Sequence, residues 1–423
     1  MKALPRNVQN VYLTLILFST LAASFIWGIN TLFLLDAGLS ATAAFAANAC
    51  FTAGMVLFEV PTGVVADTWG RRASFLLGAL TLGVSTVLYW MAWQQQAPFW
   101  AWAVTSLLLG LGFTFFSGAT EAWLVDALAF TGFKGNLESV FAKAQVVGGA
   151  AMLSGSVAGG LVAQWTNLGV PYLLRALALA VTFVVAYLHM RDWGFVPKPS
   201  KRPVNEMRLV LRSSLRHGLG NPPVRWVMLS ALFVNGVVLY AGYATQPYLL
   251  ELYGDERAYG IAGLAAAIFA GAQIAGGMAA TRIRRLFRRR TSALLAGILA
   301  SCALLALLGV TTRLEVALAL LVGWGLIFAA TMPIRQAYLN GLIPSEQRAT
   351  VLSFDSLLGS SGGVVIQPVL GRAADAWSYS SSFLAGATIQ LVAAPFVALA
   401  RRERPASDPI VELPEADAGR LPA

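Results

Sequence analysis

Two cysteines and two histidines among 423 residues leave little from which to build a disulfide framework, a metal centre or imidazole acid–base chemistry. Cys50 and Cys302 lie in apolar stretches of different halves of the chain, His189 ends an apolar stretch, and His217 falls in a basic one. No serine, cysteine or histidine stands with acid–base partners, so nothing points to an enzyme. No Gly-x-x-x-x-Gly-Lys-Ser/Thr phosphate loop occurs, so the chain is not an ATP-driven pump by itself. Charge is scarce too, at 12% of residues, where soluble domains average roughly a quarter. No cofactor and no metal is expected.

What the chain has instead is length of apolar sequence. Hydrophobic residues make up 57% of it, the mean hydropathy is +0.67, and a bilayer-crossing helix takes about 20 apolar residues. On that measure the sequence divides into twelve segments, near 11–35, 41–66, 73–93, 99–128, 140–164 and 171–190, then 224–250, 259–283, 291–310, 314–340, 349–374 and 381–399. The grouping predicts an all-α membrane protein of twelve transmembrane helices in two pseudo-symmetric six-helix bundles, over 1–190 and 224–400. A linker over 191–223 holds a short amphipathic run, 207–215, expected to lie on an anionic leaflet. The tail over 401–423, rich in Pro, Ala, Asp and Glu, is expected to be disordered.

Lysine and arginine decide the orientation. Arg71, Arg72, Lys134, the linker, Arg282, Arg284, Arg285, Arg288 to Arg290, Arg348, Arg401, Arg402 and Arg404 fall in loops on one side, while the opposite loops carry chiefly Arg257 and Arg313. Both termini are therefore expected in the cytoplasm. The same distribution accounts for the net charge of +10 without nucleic acid, because no soluble face exists to carry a basic patch. The first apolar run is too long for the core of a signal peptide and lacks a cleavage site, so it is read as a retained helix.

One stretch organises the first half: Glu59-Val-Pro-Thr-Gly63-Val-Val-Ala-Asp67-Thr-Trp-Gly70-Arg71-Arg72. It packs glycines, a carboxylate and two arginines into the turn between the second and third segments, where charge is tolerated when paired, solvated or used. A shift of 212 to 214 positions lays Gly63 over Gly277, Glu121 over Arg335, Asp126 over Asn340 and Gly159 over Gly371, with Thr281 where the first copy has Asp67. Transporters are often built from such paired halves. Gly63-x-x-x-Asp67-x-x-Gly70-Arg71-Arg72, placed between helices two and three of a twelve-helix layout, resembles the major facilitator superfamily. The 59–62 and 121–126 segments resemble a bacterial, drug-exporter-like branch of it. Gly155-Ser-Val-Ala-Gly159-Gly160 in the fifth helix departs from that branch by lacking the proline its drug–proton antiporters carry there.

The resemblance implies alternating access between two rocking bundles, in a monomer in a bacterial inner membrane. Its partners would be a small-molecule substrate, protons and membrane lipids. Gly63 is expected to admit a neighbouring helix and Gly70 to form the turn. Asp67 is expected against the start of the eleventh helix near 347–350, and Arg71 against Asp126, forming a gate with Arg72. Glu121, five residues before Asp126 and so about 7.5 Å deeper, is expected to be desolvated and to carry protons, with Glu59 as a second candidate. Trp27, Asn30, Trp123, Asn235, Tyr240, Tyr243, Gln246, Thr331, Arg335 and Gln336 are candidates for an aromatic, amide-rich substrate cavity. Gly155, Gly159, Gly160 and Gly371 are expected to let helices approach closely, and Lys143 and Asp355, which correspond under the same shift, are a candidate pair between the bundles. Proton-coupled export of hydrophobic or amphipathic molecules is the expected function. Proton-coupled uptake of a small metabolite or anion, and a transporter-like membrane sensor, stand as alternatives.

Overall fold

The structure, a computed structural model, describes residues 4–116, 118–197, 215–344 and 347–410. The first half runs through α1 (Pro5–Trp27), α2 (Asn30–Asp36), α3 (Ala41–Trp69), α4 (Arg71–Gln94), α5 (Phe99–Phe116), α6 (Ala119–Phe130), α7 (Leu137–Trp165) and α8 (Val170–His189). After a π-helical turn at Leu215–Leu219 come α9 (Pro222–Tyr253), α10 (Tyr259–Arg285), α11 (Arg290–Val310), α12 (Leu314–Asn340), α13 (Arg348–Ala376), α14 (Tyr379–Leu391) and α15 (Ala393–Arg402). Eleven stretches of the described residues are long and apolar enough to cross a membrane. The twelfth is α13, 29 residues long, whose apolar character is diluted by Asp355, Arg372 and Asp375.

Local chemistry sets the ends of these helices. Ser40, Asn136 and Ser378 cap α3, α7 and α14 by accepting a backbone N–H through their side chains, and prolines open α1, α8 and α9, where a missing N–H costs nothing. Three crossing segments are broken. α1 gives way to α2 at Gly28 and Ile29, α14 to α15 at Val392, and α5 to α6 beside Gly118, whose φ of 69° is open to glycine. Inside a membrane such freed backbone is tolerated where protein or a cavity meets it.

The apolar cores differ between the two ends of the molecule. At the end opposite the termini they run through both halves: Phe33, Tyr89, Trp102 and Tyr172 share a cluster with Leu250 and Ala262, and Ala41 and Phe45 join Tyr240, Tyr248, Trp324 and Phe383. At the termini end each half keeps its own cluster, with Tyr12, Phe75, Trp123 and Met190 in one and Val224, Met228, Tyr338 and Val351 in the other. The bundles are therefore joined at one end only.

The chain after α15 corrects the expectation of a disordered tail beginning at 401. Asp408 is buried and accepts from the backbone N–H and the hydroxyl of Thr291 at 2.8 and 3.0 Å, while the Ser407 hydroxyl donates to the Tyr338 carbonyl at 3.0 Å. Asp408 thereby satisfies the otherwise unpartnered start of α11, which is why a polar, proline-containing segment holds its place. The amphipathic run at 207–215, Leu215 apart, and the tail from 411 lie outside the described residues.

Candidate functional site

Among the described residues, the hydrogen bonds that join the two halves all lie toward the end opposite the termini. Gln246 of α9 donates to the Trp27 carbonyl at 2.9 Å and accepts from the Thr31 N–H at 2.7 Å, bridging the break between α1 and α2. Asp375, near the end of α13, accepts from the N–H groups of Ala41 and Thr42 at 2.9 and 2.8 Å and from the Thr42 hydroxyl. A carboxylate at the start of α3 is also favoured by the helix dipole. Gln164 of α7 accepts from the Gly260 N–H at 2.9 Å. The deepest tie is Gln367 on the Thr52 hydroxyl, at 3.2 Å. Thr52 stands about 16 Å along α3, a helix of roughly 43 Å at 1.5 Å per residue.

Glycines allow the same closure in backbone terms. A methyl group on Gly160 of α7 would lie 2.9 Å from the Gly263 Cα of α10, and one on Gly371 would lie 2.9 Å from the Phe45 ring. Gly155 and Gly159 face Ser24 and Phe25 of α1 within the first bundle. The sequence assigns Asp375 only to the acids of the loops opposite the termini and Gln367 only to the internal repeat, with no tie between the halves. Only contacts between elements far apart in the chain identify them.

The charged turn lies at the parted end. Gly70 adopts a φ of 110°, and Asp192 packs against it and accepts from the Arg72 N–H at 2.8 Å. Burial holds the Asp192 carboxyl above the usual carboxylate range, against the lowering effect of that N–H and of Arg72 and Arg71. Arg72 donates to the Tyr187 carbonyl at 2.8 Å and lies over the Tyr187 ring, and Arg71 lies over Phe195. Two of the expected gate features differ in this conformation. Arg71 pairs with Asp67 at 2.7 Å rather than with Asp126. Gly63 and Gly277 have no neighbour within 4 Å of an added methyl. The reasons differ: Arg71 takes the carboxylate one helical turn before it, while Asp126 stays in the same bundle beside Asp192 and Gly194, and the two glycines face open space.

Glu121 is exposed rather than desolvated, in the first turn of α6 just past the break at Gly118. Tyr12 of α1 is its electrostatic neighbour. Glu59 is half-buried on α3 and Gln336 is exposed on α12. Asp355, a candidate partner of Lys143 across the bundles, instead receives both terminal nitrogens of Arg335 at 2.6 Å within the second bundle. Trp123 and Tyr240 belong to the core, not to a cavity wall: the Trp123 indole N–H donates to the Arg191 carbonyl at 2.7 Å, and the Tyr240 hydroxyl donates to Ser382 at 2.5 Å.

The remaining cavity candidates divide between two internal spaces. Asn235, Thr331 and Arg335 line a void of about 50 Å³ enclosed by α9, α11 and α12 with Gln390 of α14. Trp27 and Gln246 line another of about 30 Å³ with Phe269 and Trp324. Pockets for drug-sized ligands span roughly 300–1,000 Å³, so neither void as it stands holds such a ligand. Asn30 lines neither void and is bonded within the first half, to Asn48 and to the Tyr172 hydroxyl at 2.8 Å each. Close by is a residue the sequence reading passed over, Arg175 of α8, whose Nε donates to the Thr86 hydroxyl at 3.0 Å and whose Nη1 donates to the Ala22 carbonyl at 3.1 Å. Its signal was available, since it is the one charged residue inside an apolar segment of twenty.

Solved structures share this architecture. The nucleoside transporter NupG is 13% identical, with a TM-score of 0.76 over 94% of this chain and 99% of that one. A bacterial homologue of the human lysosomal transporter Spinster, in an inward-facing and unoccupied conformation, is 16% identical with a TM-score of 0.71 over 95% and 98%. A D-xylose–proton symporter is 15% identical with a TM-score of 0.65 over 93% and 96%. Such likenesses speak to the fold alone. Among curated proteins none matches the chain in sequence. The Major Facilitator Superfamily profile matches residues 12–366 and 257–422, and the chain belongs to that superfamily of transporters.

Proposed function

We propose that the chain moves a small amphipathic organic molecule through the passage between its bundles by alternating access, in exchange for protons and outward across the membrane. The observation that carries this reading is the one-sided closure. Four side chains, Gln246, Asp375, Gln164 and Gln367, tie the halves at the far end, whereas Gly63 and Gly277 have open space beside them. With the termini in the cytoplasm, as the lysine and arginine distribution requires, this is the cytoplasm-open form. Release of the Asp375 and Gln246 ties, with approach of the Asp67 turn to the start of α13, makes the other. Glu121, exposed beside Tyr12 on the open side, is the proton carrier in this scheme, and Asp67 and Asp126 hold the closed cytoplasmic gate.

A second reading, proton-coupled uptake of a small anion, is favoured by one observation, the cation Arg175 facing inward. The sign of proton movement separates the two. Amphipathic compounds are first selected by thermal shift of the purified chain, since anything that binds the folded state raises its melting temperature. Added to energised inverted vesicles, binders should dissipate the proton gradient. Binders that never do so rule out exchange, and alkalinisation of the medium of right-side-out vesicles by the same compounds establishes uptake instead.

A further inference from the structure

Arg175 lies five residues into α8, about 7.5 Å from its far end. An arginine at that depth ordinarily turns its head toward the bilayer surface along the lipid face. This one does not. The lipid-facing stripe of α8 is Leu173, Leu177, Val184 and Leu188, all exposed. At 100° per residue Arg175 sits on the opposite side, among Ala178, Leu179, Thr182 and Ala186, all buried. It is part-buried, and the surface it keeps is turned away from the lipid-facing stripe.

A guanidinium carries five N–H donors. Thr86 and the Ala22 carbonyl take one at Nε and one at Nη1, and among the described residues no carboxylate pairs with the charge. A glutamine could make two such bonds without a charge, so tying α1, α4 and α8 together does not explain an arginine. The groups around it are neutral. They are Tyr172, Tyr243 and Tyr89, its electrostatic neighbours. Tyr243 comes from α9, in the other bundle, and is half-buried. Tyr172 is stacked on Phe33 with ring centroids 3.9 Å apart and hydrogen-bonded to Asn30. The site thus offers a forked cation with Tyr243 from the other half beside it, backed by the buried rings of Tyr172 and Tyr89.

We infer that Arg175 is the anchoring group of a substrate site for a small organic anion, with a carboxylate or phosphate-type oxyanion on the guanidinium and an apolar body toward Tyr243. A forked donor matches an oxyanion in two parallel bonds, and the anion supplies the missing countercharge. Because one wall belongs to α9, rocking of the bundles changes the site around the bound ion. This rests on the transporter reading above and narrows its substrate class.

The test uses the full chain in zwitterionic-lipid nanodiscs and a panel of aromatic and aliphatic monocarboxylates and organic phosphates, each paired with its neutral amide or alcohol. At least one acid should raise the melting temperature where its neutral partner does not. Arg175→Gln should abolish that shift, and Arg175→Lys, which keeps the charge but loses the fork, should weaken binding roughly tenfold. Should Arg175→Gln fail to fold, Arg175→Lys and protection of the wild-type arginine from phenylglyoxal by the acid carry the same decision. An acid shift unchanged in Arg175→Gln, or no acid outperforming its neutral partner, overturns the site. Stabilisation by phosphatidylglycerol alone reassigns the charge to a lipid headgroup and equally overturns it. Uptake into proteoliposomes separates the two readings: an acid that binds through Arg175 and is never carried removes transport but keeps the site, and an acid carried equally by Arg175→Gln does the reverse.

Discussion

Asp192 governs the charged turn although it lies 120 positions away from Arg72. Removing its carboxyl by Asp192→Ala leaves the start of α4 uncapped and should lower stability by about 1 kcal/mol, whereas Asp192→Asn keeps an acceptor and should melt close to wild type near neutral pH. Burial raises the Asp192 pKa in the fold, so the folded state binds the proton more readily than the unfolded chain, and its contribution to stability grows as pH falls through the window above the ordinary carboxylate value. Lowering the pH from about 7 to about 5 should therefore favour wild type over Asp192→Asn in paired melting curves; a difference that moves the other way contradicts the assignment. The Arg335 and Asp355 pair is more demanding, with side chains only 16% and 8% exposed. Arg335→Met strands a carboxylate and should cost about 3–5 kcal/mol, while Arg335→Met with Asp355→Leu should recover most of it. A double variant as unstable as the single would show that the pair does more than join α12 to α13. Asp67, Arg71 and Gly70 were legible from spacing, but Asp192 was not, because a lone aspartate after a helix carries no local pattern.

At the scale of elements, the decisive contacts are small residues and helix ends. α7 and α10 touch through Gly160 and Gly263, so Gly160→Leu should wedge the far side open, read as a longer distance between spin labels on the far ends of α7 and α10. An unchanged distance would mean that the helices do not meet there. Asp375→Asn weakens the hold on the start of α3 and should act in the same direction by a smaller amount. The glycine ridge of α7 could be read from sequence because its period is that of a helix face. The break at Gly118 was not legible, since a continuous apolar run hides a left-handed residue, and the exposure of Glu121 depends on which helices pack beside α6. The asymmetry between the repeats also belongs here. Asp67→Asn should impair transport far more than Thr281→Ala, because Thr281 is exposed on α10 and carries no charge; equal losses would count against a gate concentrated on the first copy.

The whole molecule is a pair of bundles whose relative position decides which end is open. In a variant without Cys50 and Cys302, single cysteines at Gly63 and Gly277 should react readily with a bulky maleimide in the resting protein, as neither position has a neighbour within 4 Å. Protection of both would place the resting protein in the other form. Adding Asp375→Ala should reduce that labelling, since loosening the far end shifts the population toward closure of the termini end.

Apolar length fixes that this chain crosses the membrane through helices, because in hydrocarbon each span must satisfy its own backbone. The lysine and arginine bias likewise sets the expected orientation, and Gly63 to Arg72 with its weaker echo points to the superfamily. These are properties of single segments, and they can be read one segment at a time. Which end is closed, that Asp355 belongs to Arg335 and not to Lys143, that Trp123 is core, and that Arg175 turns away from lipid toward Tyr243 depend on pairs of residues tens to hundreds of positions apart. Only the packing of one helix against another brings such pairs together, so those facts were decided by the tertiary structure.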